Sequence, residues 1–304
     1  MKTHSIMGKG MKNAFMHFLV YFLVVIPPNL LLAEGTTDEE SFPFNGVRYI
    51  HRHIDSPRKI DMHLVIIDLN VPGIQIKVTG QRKGGNIGET ELERTREFVR
   101  KNKAQIGING GFFDNSMLTK LSGVTKLVSL SVSEGVQVSP WSMADVHNHG
   151  INFGEDNKVT FIGSVKAGGG FDTEPKVKLY NSVAGNARLI RNGAMNVKGG
   201  DQTYPQTAIG HTADNHLILF VSDGRQPGFS EGMSYEDVAN ILKEFGAVDA
   251  IALDGGGSAT LVMTNKDAVP GVINRPSDGT ERKVGSNIAI LIPFPVEVKQ
   301  NKAP

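Results

Sequence analysis

The chain has 304 residues and a formal net charge of +1, from 32 basic and 31 acidic side chains. That length fits one large domain or two modest ones and can bury a substantial core. The balanced charge, without a basic tail, argues against a nucleic-acid partner. The absence of Cys excludes disulfides, thiolate metal sites, cysteine nucleophiles and a lipid-modified Cys anchor. Glycine is frequent, at 35 residues without a repeating period, which indicates specific backbone roles.

The start of the chain has the pattern of a signal peptide. Three lysines precede an apolar run over 14–26, two prolines end the run, and Ala33 offers a small residue for cleavage. We therefore predict a signal peptide over 1–33 and a secreted or periplasmic protein of a bacterial envelope, without a stable membrane span after cleavage. The alternative is an uncleaved N-terminal anchor, because Leu31 is a poor residue at its cleavage position.

The rest of the chain divides into three further segments. Residues 34–59 are predicted to hold a flexible, acidic lead-in over 34–46 and a first strand region. Residues 60–297 are predicted to form one folded domain, and 298–304 a tail. No internal repeat at a fixed period interrupts this division.

The first predicted elements of the domain are strands and a helix. The apolar runs 63–69 and 74–78 are separated by Pro72 and Gly73, a pattern typical of a hairpin. Residues 89–103 are rich in helix formers and charges, which predicts a partly exposed helix. A buried strand should follow at once.

The clearest predicted helix lies between two strands in the second half of the chain. Ser234 and Asp237 have capping-box spacing, and Gly246 is a typical helix end. The flanking strands, 216–222 and 248–253, would then form a crossover unit and run parallel. Together with the earlier hairpin signal, this predicts an α+β fold, a single mixed-sheet domain with flanking helices.

Three predicted strands end in polar turns that contain glycine, at 109–114, 223–225 and 254–258. Carboxylates suit proton transfer, an Arg suits a bidentate contact with phosphate, and glycine lets backbone amides approach an anion. The P-loop spacing is absent, so nucleotide hydrolysis is disfavoured. Each turn alone is also consistent with a purely structural role, but three together indicate a site at one edge of the sheet.

Two His-x-His pairs could begin a metal site, His51 with His53 and His147 with His149. Neither pair has an acidic or imidazole partner at a recognised ligand spacing. Chance pairs among nine histidines are the alternative interpretation.

The ordered set of motifs resembles the phosphodiester glycosidase family over about residues 60–292. That resemblance implies hydrolysis of a sugar-1-phosphodiester, which releases the sugar from its phosphate. One departure is Gln206, which stands where the family often has Arg before Thr-Ala-Ile-Gly. The segments that carry the resemblance are 109–113, 187–188, 207–210, 223–225, 253–258, 274–276 and 281–282.

Glycosidic cleavage uses an acid and a second carboxylate, so Asp223 and Asp254 are the predicted catalytic pair, with acid and base unassigned. The expected partner is a phosphodiester-linked carbohydrate, such as an N-acetylglucosamine-1-phosphodiester or an envelope or exopolysaccharide glycan. The predicted substrate-binding residues are Asn109, Gly110, Gly111, Arg188, His211, Arg225, Gly255, Gly256, Gly257, Ser258, Asn274 and Arg282.

Two other functions remain open from the sequence. One is a phosphodiesterase that attacks phosphorus, with the Asp residues as ligands for Mg²⁺ or Ca²⁺. The other is an envelope glycan-binding module without catalysis. Sensitivity to chelators would separate the two enzymes, and binding without turnover would indicate the module.

Overall fold

The computed structural model describes residues 35–84, 90–144, 147–167, 170–198, 200 and 202–293. The predicted signal peptide over 1–33 and the predicted tail over 298–304 lie outside these residues. Within the described ranges, no helix has the length and hydrophobicity needed to cross a membrane.

Strands dominate the described residues, and the helices are few and short. The helices are α1 (Thr95–Asn102), α2 (Met117–Ser122) and α3 (Tyr235–Glu244), with a 3-10 turn at Gly256–Ser258. The strands are β1 (Thr36–Phe44), β2 (Val47–Ile54), β3 (Ile60–Asp68), β4 (Gln75–Val78), β5 (Thr90–Glu91), β6 (Glu93–Arg94), β7 (Ile106–Asn109), β8 (Val124–Thr125), β9 (Ser131–Ser133), β10 (Val136–Ser139), β11 (His149–Phe153), β12 (Val159–Ala167), β13 (Gly170–Glu174), β14 (Asn181–Gly185), β15 (Ala187–Arg191), β16 (Ala194–Met195), β17 (Gln206–Thr212), β18 (His216–Ser222), β19 (Ala247–Ala252), β20 (Leu261–Thr264), β21 (Pro270–Val272), β22 (Lys283–Val284) and β23 (Asn287–Leu291).

The strands form three main sheets. The largest has the order β1-β2-β3-β18-β17-β19-β15-β16, the second β10-β9-β14-β11-β12-β13, and the third β21-β20-β7-β23-β4. Two small sheets pair β22 with β6 and β5 with β8. Every strand pair among the described residues is antiparallel.

The main hydrophobic core takes side chains from all three main sheets, including Ile151 and Val183 of the second, and helices cover the outer faces of the first and third sheets. In β18, Leu217, Leu219 and Val221 belong to this core, whereas Ile218 and Phe220 belong to the cluster beneath α3. Burial of both faces explains why β18 is apolar along its whole length. On the other side, α1 packs with residues of β20 and β23 in a separate small cluster. The result is a helix, two sheets and a helix in successive layers.

The predicted helix at 234–246 is confirmed as α3, with its capping box. The Ser234 hydroxyl accepts from the Asp237 amide at 3.2 Å, and the Asp237 carboxylate accepts from the Ser234 amide at 2.8 Å. Val238 and Leu242 are buried against the sheet. Gly246 has φ of 86°, the left-handed conformation that favours glycine after a helix.

Three sequence predictions about local structure are wrong. Residues 36–44 are not a flexible lead-in but β1, an edge strand with almost no buried side chains, so its polar composition concealed it. The predicted hairpin at 63–78 does not form, because β3 and β4 belong to different sheets. The helix predicted over 89–103 covers only Thr95–Asn102.

The predicted crossover unit is correct in that β18 and β19 run in the same direction, but the two strands do not pair with each other. Because β17 lies between β18 and β19 and is antiparallel to both, those two strands run the same way without touching as a pair. Their C-terminal ends still lie at one edge of the sheet. The sheet is thus antiparallel rather than mixed, and the α+β class holds only in part, since the fold is mainly β.

Candidate functional site

The turns after β18 and β19 meet at the segment that leads into β17. The Gly256 amide donates to the Pro205 carbonyl at 2.8 Å. A Cβ atom on Gly255 would lie 2.6 Å from that same oxygen, and one on Gly224 would lie 2.6 Å from the Pro205 nitrogen. Both turns therefore need glycine to pack on Pro205, which brings the segments after the two strands together.

Asp254 stands at the head of the second turn and is partly exposed. Burial raises the pKa of Asp254 to about 6, against the lowering effects of a hydrogen bond from Ser258 and the charge of Arg282. A carboxyl group with this pKa holds its proton in mildly acidic solution and can exchange it near neutrality. Its backbone is fixed by Asn109, whose Nδ2 donates to the Asp254 carbonyl at 2.6 Å.

Two guanidinium groups border the same turn. A Cβ atom on Gly256 would lie 3.2 Å from Nη1 of Arg225, and one on Gly257 would overlap the guanidinium of Arg282. Arg225 is exposed, with φ of 58°. The Arg282 guanidinium is also held by Asp278, with Nε 2.8 Å from Oδ2. Two cations beside a glycine turn can bind the two free oxygens of a phosphodiester.

Two tyrosines also lie near Arg225 and Asp254, and neither was among the site residues predicted from the sequence. The guanidinium carbon of Arg225 lies 5.7 Å from the centre of the Tyr204 ring. The Tyr235 hydroxyl accepts from Nδ2 of Asn186 at 2.8 Å. Burial raises the pKa of Tyr235, and the nearby charge of Asp254 raises it further. The only signals were local: Tyr204 precedes Pro205, and Tyr235 begins α3.

Asp223, the other predicted catalytic residue, is in a different environment. Its side chain is 1% exposed. Oδ1 accepts from Nδ2 of Asn274 at 2.9 Å, and Oδ2 accepts from the Arg275 amide at 2.8 Å. Burial raises the pKa of Asp223, and these two hydrogen bonds lower it. Both oxygens are thus engaged by protein donors, and Asp223 connects the end of β18 to the 274–275 segment.

Asn109 is a buried connection rather than a residue lining the site. It is 1% exposed, and its Oδ1 accepts from the Thr207 hydroxyl at 2.9 Å and from the Thr260 amide at 3.0 Å. Gly110 and Gly111 allow close packing beside it: a Cβ on Gly111 would lie 2.6 Å from the Ala184 carbonyl. These residues hold strand ends in place around Asp254.

Arg188 and His211 are not brought to this cluster. The Arg188 guanidinium pairs with Asp249 and lies 4.0 Å above the Phe161 ring. Nε2 of His211 lies 3.0 Å from Oδ1 of Asn215, near the end of β17 that is remote from the turns. Local contacts therefore explain why these polar side chains lie beside apolar strands: Arg188 contacts Asp249 and Phe161, and His211 contacts Asn215.

Gln206, at the position where the resemblance led us to expect an Arg, is buried and forms a hydrogen bond within the protein. It is 3% exposed, and its Nε2 donates to the Met233 carbonyl at 2.8 Å. The side chain therefore supports the segment before α3 instead of presenting a charge at the turn.

Within the part of the chain that the structure describes, neither Asp223 nor Asp254 belongs to a cluster of metal-ligating groups. Among the described residues, the one group of three or more His, Asp or Glu side chains with converging ligand atoms is His51, Asp61 and His63. The Mg²⁺ or Ca²⁺ site considered from the sequence thus gains no geometric support. The other His-x-His pair is also separate, since the His147 ring packs 4.3 Å from Phe112.

Comparisons with known proteins connect this chain to one family. The sequence model of the family described as phosphodiester glycosidase matches residues 102–291. Human N-acetylglucosamine-1-phosphodiester alpha-N-acetylglucosaminidase is 30% identical over 186 residues, which cover 55% of this chain and 33% of that protein. The mouse protein of the same name is 43% identical over 58 residues, 19% of this chain and 11% of that protein. The matched segments span no more than a third of these curated relatives.

A solved structure extends the similarity over most of the fold. The catalytic domain of zebrafish N-acetylglucosamine-1-phosphodiester alpha-N-acetylglucosaminidase has a TM-score of 0.62 and 20% sequence identity. The superposition covers 85% of this chain and 89% of that domain. At this identity the likeness concerns the fold.

Proposed function

Because the chain belongs to the phosphodiester glycosidase family, we propose that it is an exported hydrolase that cleaves the sugar–phosphate bond of a sugar-1-phosphodiester. The observation that carries this proposal is the position of Asp254, whose pKa is raised to about 6, beside a turn bordered by two guanidinium groups. The names of the human and mouse relatives make an N-acetylglucosamine-1-phosphodiester the first substrate to test.

In this proposal Arg225 and Arg282 bind the phosphate group. Guanidinium is a fixed cation and a poor proton donor, so these residues bind and orient the substrate and do not transfer protons. The bound anion would lie beside Asp254 and would disfavour ionisation of its carboxyl group further. Asp254 would then be the general acid that donates a proton to the glycosidic oxygen as the bond to the sugar breaks.

Hydrolysis in ¹⁸O-labelled water tests which bond is broken. We expect the label in the released sugar, because water attacks the sugar carbon. Label in the phosphate would instead show attack at phosphorus and would contradict the proposal. Binding of the substrate without turnover would indicate a glycan-binding module.

Replacement of either guanidinium tests the phosphate contact. We expect Arg225→Lys and Arg282→Lys each to raise KM about tenfold, because lysine keeps the charge but loses the bidentate geometry. The turnover number should change less than KM. Arg100→Lys is a matched control, since Arg100 is exposed in the last turn of α1, at the opposite end of the helix from the residues that contact Glu281. Unchanged kinetics in both site variants would contradict a phosphate contact.

Export is tested on the protein recovered from the envelope fraction of expressing bacteria. We expect a mature chain that begins near Glu34, because the apolar run over 14–26 is followed by prolines and by Ala33. N-terminal sequencing measures this directly. A chain that begins at Met1 and stays with the membrane would show an uncleaved anchor instead.

A further inference from the structure

Three imidazoles converge on one buried carboxylate at the junction of β2 and β3. His51 lies opposite His63 across the strand pair, and His53 lies opposite Asp61. Opposed residues and residues two apart share one face of a sheet, so all four side chains point to the same side. The spacing of His51 and His53 is visible in the sequence, whereas their partners Asp61 and His63 come from the neighbouring strand and are not.

The ring nitrogens lie close to the Asp61 carboxylate. Nε2 of His51 is 3.0 Å from both carboxylate oxygens, Nε2 of His63 is 3.3 Å from Oδ1, and Nδ1 of His53 is 3.4 Å from Oδ2. The ligand atoms of His51, Asp61 and His63 all lie within 4.8 Å of one another. Asp61 and His63 are buried, whereas the His51 and His53 side chains are about a third exposed, which opens the cluster to solution.

The second nitrogen of each ring faces an oxygen atom on its other side. For His63 and His53 these contacts are hydrogen bonds, which fix the orientation of an imidazole and strengthen its other nitrogen as a metal ligand. The three pairs are His63 Nδ1 with the Tyr49 hydroxyl at 2.8 Å, His53 Nε2 with Asp55 Oδ1 at 3.2 Å, and His51 Nδ1 with Glu39 Oε2 at 3.8 Å.

We propose that His51, His53, Asp61 and His63 form a binding site for a divalent transition-metal ion of the Zn²⁺ class. Imidazole nitrogens with one carboxylate oxygen suit Zn²⁺ and disfavour Mg²⁺ or Ca²⁺, which prefer oxygen ligands. The rings of His51 and His63 stack at 4.5 Å, and Nε2 of each ring faces the Asp61 carboxylate. The site lies outside residues 102–291, the segment that the family shares.

The proposed metal would stabilise the protein and take no part in hydrolysis. His51, Asp61 and His63 already converge, and a rotation of His53 towards Asp61 would add a fourth protein ligand, which gives the closed arrangement of a structural zinc site. The backbone of the site is joined to the turn after β18: the Asp223 amide donates to the Asp61 carbonyl at 2.9 Å, and the Asp61 amide donates to the Ser230 hydroxyl at 3.0 Å. A metal that joins β2 to β3 would therefore stabilise the strands that border this turn.

The test uses the full chain, without a histidine tag and depleted of metal with a chelator. Titration calorimetry with Zn²⁺ should give one ion per chain. At free Zn²⁺ about 100-fold above Kd, the melting temperature should rise by roughly 5 °C or more. Absence of binding in this protein would overturn the proposal and would leave the hydrolysis experiment unaffected.

Variants identify the ligands. His51→Gln should lose Zn²⁺ binding and the rise in melting temperature. His216→Gln is the matched control, since His216 pairs with Asp214 at 3.2 Å and has a similarly exposed side chain, so this variant should bind Zn²⁺ normally. Equal binding by wild type and His51→Gln would overturn the proposal. Circular dichroism checks folding, and His53→Gln gives the same test if the first variant is unfolded.

Discussion

Asp254→Asn is expected to lower turnover by about 10² or more, the lower range for loss of a positioned proton donor. The same change should stabilise the folded protein at neutral pH. Burial raises the pKa of Asp254 from 3.8 to about 6, so the folded state disfavours the ionised form that the unfolded chain adopts freely. The free energy of unfolding of the wild-type protein therefore falls as pH rises from about 4 to about 6, by at most about 3 kcal/mol. Asn has no charge and avoids this cost.

Melting temperatures at pH 7.5 and pH 4 test the sign of this effect. The gain in Asp254→Asn should be present at pH 7.5 and should vanish near pH 4, where the wild-type carboxyl holds its proton in both states. Wild-type activity should decline as pH rises above about 6, the pKa of this group. Asp267→Asn, an exposed change in the turn after β20, is the control for both measurements. A folded Asp254→Asn protein with full activity would contradict the proposed acid.

Asp223→Asn is expected to have the opposite effect on stability. Both oxygens of Asp223 accept hydrogen bonds, from Asn274 and from the Arg275 amide. An amide side chain presents one NH₂ group to these donors, which leaves a buried donor unsatisfied and costs about 1–3 kcal/mol. The melting temperature should then fall by roughly 3–10 °C at neutral pH.

Turnover per folded molecule decides the role of Asp223. If it positions the 274–275 segment, as its burial indicates, the folded Asp223→Asn protein should keep activity within about tenfold of wild type, less than the loss expected for a proton-transfer group. A loss of 10² or more in fully folded protein would return Asp223 to the catalytic pair predicted from the sequence. Asp254→Asn, measured in parallel, gives the comparison for a direct role.

The sequence predicted structure well where local chemistry determines it. The capping box of Ser234 and Asp237 depends on residues three apart, and α3 begins where it indicated. Pro72 and Gly73 signalled a turn correctly but carry no information about which strands pair, so the predicted hairpin joined two different sheets. The acidic residues of β1 lack the alternation of a half-buried strand, because this strand pairs with β2 but has both faces largely exposed, with only its end residue Phe44 packed on the core.

The candidate site was predictable at its glycine turns and less so elsewhere. The turns at 223–225 and 254–258 need glycine in order to pack on Pro205, and these glycines can be read directly from the sequence. The burial of a side chain cannot be read from the sequence. Asp223 and Asp254 both follow an apolar strand, yet Asp223 is enclosed by hydrogen-bond donors and Asp254 is partly exposed. The cross-strand contact of His51 with His63 depends on the register of β2 and β3, which only the folded chain fixes.

The first strand also bears on how molecules of this protein meet one another. Among the described residues, β1 is the outermost strand of the largest sheet and pairs on one side only, with β2, and an edge of this kind is a surface on which a strand of a second molecule could add. Three consecutive acidic residues, Asp38, Glu39 and Glu40, lie along this strand. Asp38 pairs with Arg52 and Glu40 pairs with Arg48 on β2. A strand that added to this edge would have to take these charged groups out of water, so the charged row opposes edge-to-edge aggregation.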